Sequence, residues 1–356
     1  MKTKKLLAKN LRYVLLAGVA ALGLITILAT GGGGGVTTTT SGTTYNSGGS
    51  IGDLLTYTIN TSNLSYSYNI VESDFELAGT TGSGTLTHND DGTYTPSSDP
   101  NARLILLPNT LLVGGADLTV SGNPTTMLFA GVPALTTSYT ATEIAGIYNY
   151  INFQCDDSLD SGQCAAGYKS YYGTFKVDAG GTWEASDGDL GATPPAAVVN
   201  SGTWKDLGNG RISVVSGGNE IVKMMLLPSA SGGKVMIGDL KNVDGVQGPG
   251  IIVGVKRQDL SSLDLSGQFT FNDDDGGYGN VTVTNASDPT YTGTHHDSAG
   301  GSQDIGGTLT RNDPWTGWLR DNADGTIVLI LPGDGVWFDT QQAPNNDWIG
   351  IGGAIP

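Results

Sequence analysis

The sequence predicts an all-β protein: tandem antiparallel β-meander barrels or sandwiches behind an N-terminal signal segment and a Gly/Thr linker. Three observations predict it. Beyond residue 50 the apolar residues recur with period two. After the apolar N-terminal run, no stretch of ten residues carries a convincing amphipathic helix pattern; "TATEIAGIYNY" comes nearest, and its second half alternates like a strand. The chain also resembles itself three times, with about 100–120 residues between corresponding Leu-Pro pairs.

The N-terminus gives an address. Residues 2–12, "KTKKLLAKNLR", are basic, and residues 13–30, "YVLLAGVAALGLITILAT", are uncharged and apolar. This is the layout of a secretory signal over residues 1–31. The run is also long enough for an uncleaved membrane anchor, the one route by which this chain is expected to meet a membrane. Ala29 and Gly31 suit cleavage. "ILATG" resembles a bacterial lipoprotein signal, in which a Cys follows a Leu and two small residues. Gly31 stands where that Cys would be, so no lipidation is expected at Gly31. Residues 32–50, rich in Gly, Thr and Ser, read as a flexible tether. The expected location is outside the cytoplasm: periplasm, cell surface or extracellular space.

Charge agrees with that address and excludes some functions. The chain has 17 basic and 34 acidic residues, and Lys2, Lys4, Lys5, Lys9 and Arg12 precede every acid. The remainder therefore carries 12 basic against 34 acidic residues, a net charge of −22. Such a surface repels phosphate backbones, so no nucleic-acid partner is expected. Its two cysteines, Cys155 and Cys164, lie in "FQCDDSLDSGQCAAG". In an exported protein they are expected to form a disulfide across a polar hairpin tip.

The strands follow in order. "LTYTI" puts Leu55, Tyr57 and Ile59 on one face, and "SYSYNI" does so with Tyr66, Tyr68 and Ile70. Phe175 with Val177, Phe269 with Phe271, and Val281 with Val283 repeat the pattern. Three longer pieces share one layout: "RLILLPNTLLVGGADL" (103–118), "VKMMLLPSASGGKVMIGDL" (222–240) and "IVLILPGDGVWFDT" (327–340). Each has an apolar strand ending in Leu-Pro, a small turn, a second apolar strand and an Asp. Pro108, Pro228 and Pro332 are expected to end their strands, since Pro cannot donate to a ladder. The repeat predicts β-domains at 51–140, 141–260 and 261–356. The middle one should hold eight strands, beginning near residues 146, 170, 182, 202, 211, 221, 234 and 250, and the first one six or seven. Short connections argue for an up-and-down meander, closed as a barrel or pressed as a sandwich. A transmembrane β-barrel fits less well, because most runs span only five to seven residues. The Gly-Thr-Trp pieces at 181–183 and 202–204 resemble lipocalin- and avidin-type meander barrels, in which an early Trp plugs one end. The likeness covers a few residues per unit and implies a closed barrel able to hold a small ligand.

Candidate chemistry is sparse. The histidines are His88, His295 and His296. "DSAGG" at 297–301 resembles the surround of a trypsin-like nucleophile, with Ser298 in the serine place, though an extra Ala breaks the motif. His295, His296 and Ser298 would carry a hydrolase reading, with His88 as an alternative base. Adjacent strand residues point to opposite faces, however, so the paired histidines should diverge. Asp273, Asp274 and Asp275 form the densest acidic turn and the candidate calcium ligands, although Asn/Asp-Gly is also what a hairpin turn needs. Otherwise no cofactor is expected. Trp315, Trp318, Trp337 and Trp348 crowd the last unit, where they could stack on a ligand or fill a core. The expected role is non-catalytic: structural, adhesive or recognition, with a protein, a glycan or a small apolar ligand as partner.

Overall fold

A computed structural model describes residues 42–100, 102–120, 123–135, 138–156, 159, 164, 167–228, 234–245, 247–323, 325–331, 335–341 and 347–354. The expected signal segment, residues 32–41 of the expected tether and Pro332 lie outside them. No helix among the described residues is long and apolar enough to cross a membrane. The chain folds into three closed antiparallel barrels of eight strands each.

Barrel 1 comprises β1 (Thr43–Gly49), β2 (Asp53–Asn60), β3 (Ser65–Ser73), β4 (Thr81–His88), β5 (Tyr94–Pro96), β6 (Leu104–Leu107), β7 (Leu111–Val120) and β8 (Asn123–Pro133). Barrel 2 follows one helical turn, α1 (Ala141–Ile144), which Thr140 and Glu143 close with a reciprocal capping box. Its strands are β9 (Gly146–Cys155), β10 (Tyr168–Val177), β11 (Thr182–Ser186), β12 (Asn200–Gly208), β13 (Arg211–Ser216), β14 (Asn219–Pro228), β15 (Lys234–Leu240) and β16 (Gly250–Lys256). Barrel 3 comprises β17 (Gly267–Asp273), β18 (Tyr278–Val283), β19 (Thr290–His296), β20 (Ser302–Arg311), β21 (Leu319–Asp321), β22 (Ile327–Leu331), β23 (Val336–Thr340) and β24 (Ile349–Ala354).

Barrel 1 has eight strands because β1 lies inside the Gly/Thr stretch that reads as a tether. β1 pairs with β2 on one side and closes the barrel against β8 on the other. Only Tyr45 gives it an aromatic anchor, so its ordering comes from pairing and not from local pattern. The next barrels also start before their first strands. Tyr139 and Ile144 pack inside barrel 2, and Leu260 and Leu265 pack inside barrel 3.

In barrel 3 this plug is clamped by Arg311 at the end of β20. Its guanidinium donates to the carbonyls of Leu260 (2.6 Å), Leu263 (2.8 Å) and Ala286 (3.1 Å) and to Asn285 Oδ1 (2.8 Å). Arg311→Met keeps the stem and strands these acceptors. It is expected to cost about 2–3 kcal/mol, read as a lower urea midpoint with an unchanged slope.

The Leu-Pro repeats have a shared purpose. In each barrel the sixth, seventh and eighth strands are apolar on both faces, as a strand must be when both sides are covered. β15 is buried at every residue, and the described side chains of β16, β23 and β24 are nearly so. One face fills the barrel. The other meets the neighbouring barrels in one cluster that includes Leu111, Val132, Val235, Val255, Phe338 and Ile351.

The contacts close a ring. The first strand of each barrel packs on the seventh of the next: β1 on β15, β9 on β23, β17 on β7. The eighth packs on the sixth: β8 on β14, β16 on β22, β24 on β6. Three equivalent asparagines mark the same cycle, each donating its side-chain amide to a backbone carbonyl of the next barrel. Asn46 reaches Asn209 (3.4 Å), Asn149 reaches Thr316 (3.0 Å) and Asn272 reaches Arg103 (2.8 Å). Each amide also sits opposite an apolar residue of its own eighth strand: Val132, Val255 and Ile351. The arrangement is a head-to-tail threefold ring built within a single chain.

Barrels 1 and 2 also share a charged contact. Glu72 of barrel 1 pairs with Lys223 and with Lys241 (3.0 Å), and Lys241 also holds Asp239. Asp53 and Asp239 are fully buried beside this group, and Asp74 accepts from the Asn242 amide (2.8 Å).

Candidate functional site

The equivalence of Asn46, Asn149 and Asn272 allows the three interiors to be compared position by position along the ladders. One residue earlier on the first strand, Tyr45, Tyr148 and Phe271 point inward. One residue later stand Ser47, Tyr150 and Asp273. On the seventh strand, opposite Gly131, Gly254 and Gly350, stand Leu112, Met236 and Asp339. Barrel 1 is filled by the rings of Tyr45, Tyr57, Tyr66 and Phe129, with Tyr57 stacked on Phe129 at 4.9 Å. Barrel 2 is filled by Tyr148, Tyr150, Phe175, Trp183, Met224 and Met236. Barrel 3 has acids at two of these inner positions.

The interior of barrel 3 is hollow toward one end, with a cavity of about 510 Å³. That end is where β17 meets β18, β19 meets β20, β21 meets β22 and β23 meets β24. Phe271, Tyr291, Trp337 and Trp348 supply ring surface. Asp275, Asp321, Asp339 and Asp347 supply carboxylates, and His295 and Gln303 face the same space. Among the described residues no Lys or Arg lines the cavity.

Asp339, Asp321 and His295 are held by hydrogen bonds. Asp339 is 5% exposed and accepts from the Trp337 indole N–H at 2.8 Å. It fits because the facing residue of β24 is Gly350, where a Cβ would come within 2.0 Å of Asp339 Oδ1. Asp321 is 1% exposed and accepts from the Tyr291 hydroxyl at 2.5 Å. His295 Nε2 bonds Asp273 Oδ2 at 2.7 Å, and its ring lies parallel to Phe271. That bond, more than the nearby charges, raises the imidazole's pKa, against partial desolvation. Asp275 stands at the rim, raised by partial burial and then by the charges of Asp273 and Asp347.

The residues singled out in the sequence are divided by the fold. Cys155 and Cys164 form the disulfide, at the tip between β9 and β10. Trp337 and Trp348 line the cavity, whereas Trp318 is fully buried where barrels 2 and 3 meet and stacks edge-on with Trp315 and Tyr172. Trp315 is also tied to barrel 2 by its indole bond to Asn149 (3.2 Å). These two belong to the interface and not to a stacking site.

The three consecutive acids diverge. Asp273 turns to His295, Asp274 accepts from the Ile349 amide at 2.9 Å, and Asp275 faces the rim. Among the described residues no group of three His, Cys, Asp or Glu could hold a metal ion. His295 and His296 diverge as alternation requires: His296 stacks on Tyr278 and faces a groove between barrels 1 and 3, together with His88. Ser298 lies on a turn lining a further groove with Arg103 and Asp117, while His295 faces the cavity, so the hydrolase trio does not assemble.

The acids at 321, 339 and 347 and Tyr291 carry no motif and escape a reading by motif. One signal was present: Asp339 shares the alternation of Trp337, which places a carboxylate on an inner face. Comparison with protein-family models gives no match, and comparison with curated proteins gives none either.

Proposed function

We propose that this protein is an exported, non-catalytic binding protein whose third barrel holds a small ligand, the other two barrels serving as its scaffold. The observation that carries this reading is the cavity of barrel 3, placed where the equivalent interiors of its sister barrels are packed with rings. A preformed concave pocket with a few fixed polar groups among aromatic walls is what a small-molecule site requires. The basic and apolar N-terminal run and the disulfide support the exported location. The acidic surface supports a partner other than nucleic acid.

The test is the native mass of the protein isolated from the cell envelope or medium. A mass above that of the disulfide-bonded chain, returning to it on denaturation, is expected. Ile305→Trp, which projects an indole into the cavity, should abolish the excess while leaving the fold intact by circular dichroism. A native mass equal to the chain mass would overturn the reading. The same spectra report the N-terminus, and a mature chain beginning near Gly32 is expected from cleavage.

A further inference from the structure

We infer that the ligand of barrel 3 is a small organic cation, an amine or quaternary ammonium carrying an apolar body; this rests on the cavity reading above. Among the described residues four carboxylates line the cavity and no Lys or Arg does. Asp321 and Asp339 are nearly inaccessible to solvent and belong to the walls. Burying like charges in the wall of such a pocket is costly unless an opposite charge joins them. His295 is paired with Asp273, so the positive charge it brings near Asp275 and Asp339 is offset by that partner's carboxylate.

The rings decide what kind of cation. Phe271, Tyr291, Trp337 and Trp348 surround the same volume, and a cation over an aromatic face gains most when it is weakly hydrated. A bare metal ion needs several oxygens converging at short range, and the described carboxylates are spread around the wall instead. An ammonium with methyl or alkyl substituents touches both the acids and the rings. At about 510 Å³ the space admits a ligand of small-metabolite size.

Barrels 1 and 2 give an internal comparison. The position of Asp339 is Leu112 in one and Met236 in the other, and the position of Asp273 is Ser47 and Tyr150. The same scaffold therefore closes twice with neutral residues at these two positions, so neither the barrel fold nor the ring requires acids there. They are a local property of the third interior.

The experiment uses the full chain and four soluble probes followed by tryptophan fluorescence and calorimetry. Choline and benzyltrimethylammonium are the cations, 3,3-dimethylbutan-1-ol is the neutral isostere of choline, and 3,3-dimethylbutanoate is an anion of similar shape. The cations should bind at least about tenfold more tightly than the neutral isostere, and the anion should not bind. Asp339→Asn, which keeps an acceptor for Trp337, should weaken the cations by about tenfold or more and leave the neutral isostere unchanged. Asp321→Asn is the second variant should the first fail to fold. Equal or tighter binding of the neutral or anionic probe overturns the cation assignment and leaves the cavity reading standing. Absence of binding by all four overturns the assignment too, while the native mass decides the cavity reading independently.

Discussion

Phe338→Ala is expected to lower the free energy of unfolding by about 3–5 kcal/mol, the range for a large ring removed from a core that cannot collapse around the gap. Phe338 is fully buried, yet it lies outside its own barrel. It projects from β23 into the cluster shared by all three barrels. Removing it therefore weakens the ring and leaves the packing inside barrel 3 unchanged. The unfolding transition should remain single, with tryptophan fluorescence and far-ultraviolet circular dichroism reporting one midpoint, because the shared cluster couples the barrels. Val199→Ala, at a site 59% exposed, should change stability by less than about 0.5 kcal/mol. Two separated transitions, with only the fluorescence shifted, would mean that the barrels unfold independently and that the shared cluster contributes little.

The tandem all-β organisation in three units was legible because it rests on local rules. Period-two faces such as Leu55, Tyr57 and Ile59 became barrel interiors. The eight strand starts expected in the middle unit agree with β9 to β16 to within about two residues. Pro108 directly follows β6 and Pro228 ends β14. Continuous apolar runs such as "KVMIGDL" carried a further message, since burial on both faces implied a second surface to cover them. That surface turned out to be the neighbouring barrel. Closure as a barrel and the ring itself depend on which strands meet, which no local pattern encodes. β1 was hidden for the same reason.

The site was less legible because the repeat misleads at its key residue. Each repeat shows an Asp after its second apolar strand, which makes Asp239 and Asp339 look equivalent. The registers show otherwise: Asp339 matches Met236, three residues before Asp239. An odd offset reverses the face in a strand. Asp239 consequently points toward barrel 1 and an ion pair with Lys241, and Asp339 points into the cavity. The four tryptophans divide for a related reason. Trp337 alternates with inward residues, whereas Trp315 and Trp318 sit in the β20–β21 connection, which docks on barrel 2.

Stability is expected to rise as the pH is lowered from 8 to 5, opposite to the behaviour of a protein held together by surface ion pairs. Burial pushes Asp53 up to about 6, aided by the charge of Asp74 and opposed by Ser73 and Lys241. Burial likewise raises Asp239, with Asp74 and Asp53 adding to it and Lys241 opposing. Both carboxyls hold protons in the folded state that they release, at about 4, in the unfolded one. Between those values the native state binds more protons, so its stability falls as pH increases. The contribution is fully present below the unfolded value and lost as pH rises through the folded one. For Asp53 alone this amounts to about 3 kcal/mol. The raised imidazole of His295 acts in the same direction, because its contribution is likewise lost on the alkaline side. Glu72 acts oppositely. Despite its own desolvation it is lowered by Lys223 and Lys241, and its contribution is lost as pH falls below its unfolded value. The optimum should therefore lie near pH 5, with a decline on either side. Urea midpoints measured at pH 5 and pH 8 test this, and Asp53→Asn should flatten the alkaline slope by removing one of its sources. A midpoint that rises toward pH 8 would show that the carboxylates between barrels 1 and 2 are stabilised as anions, and that Lys223 and Lys241 outweigh the cost of their burial.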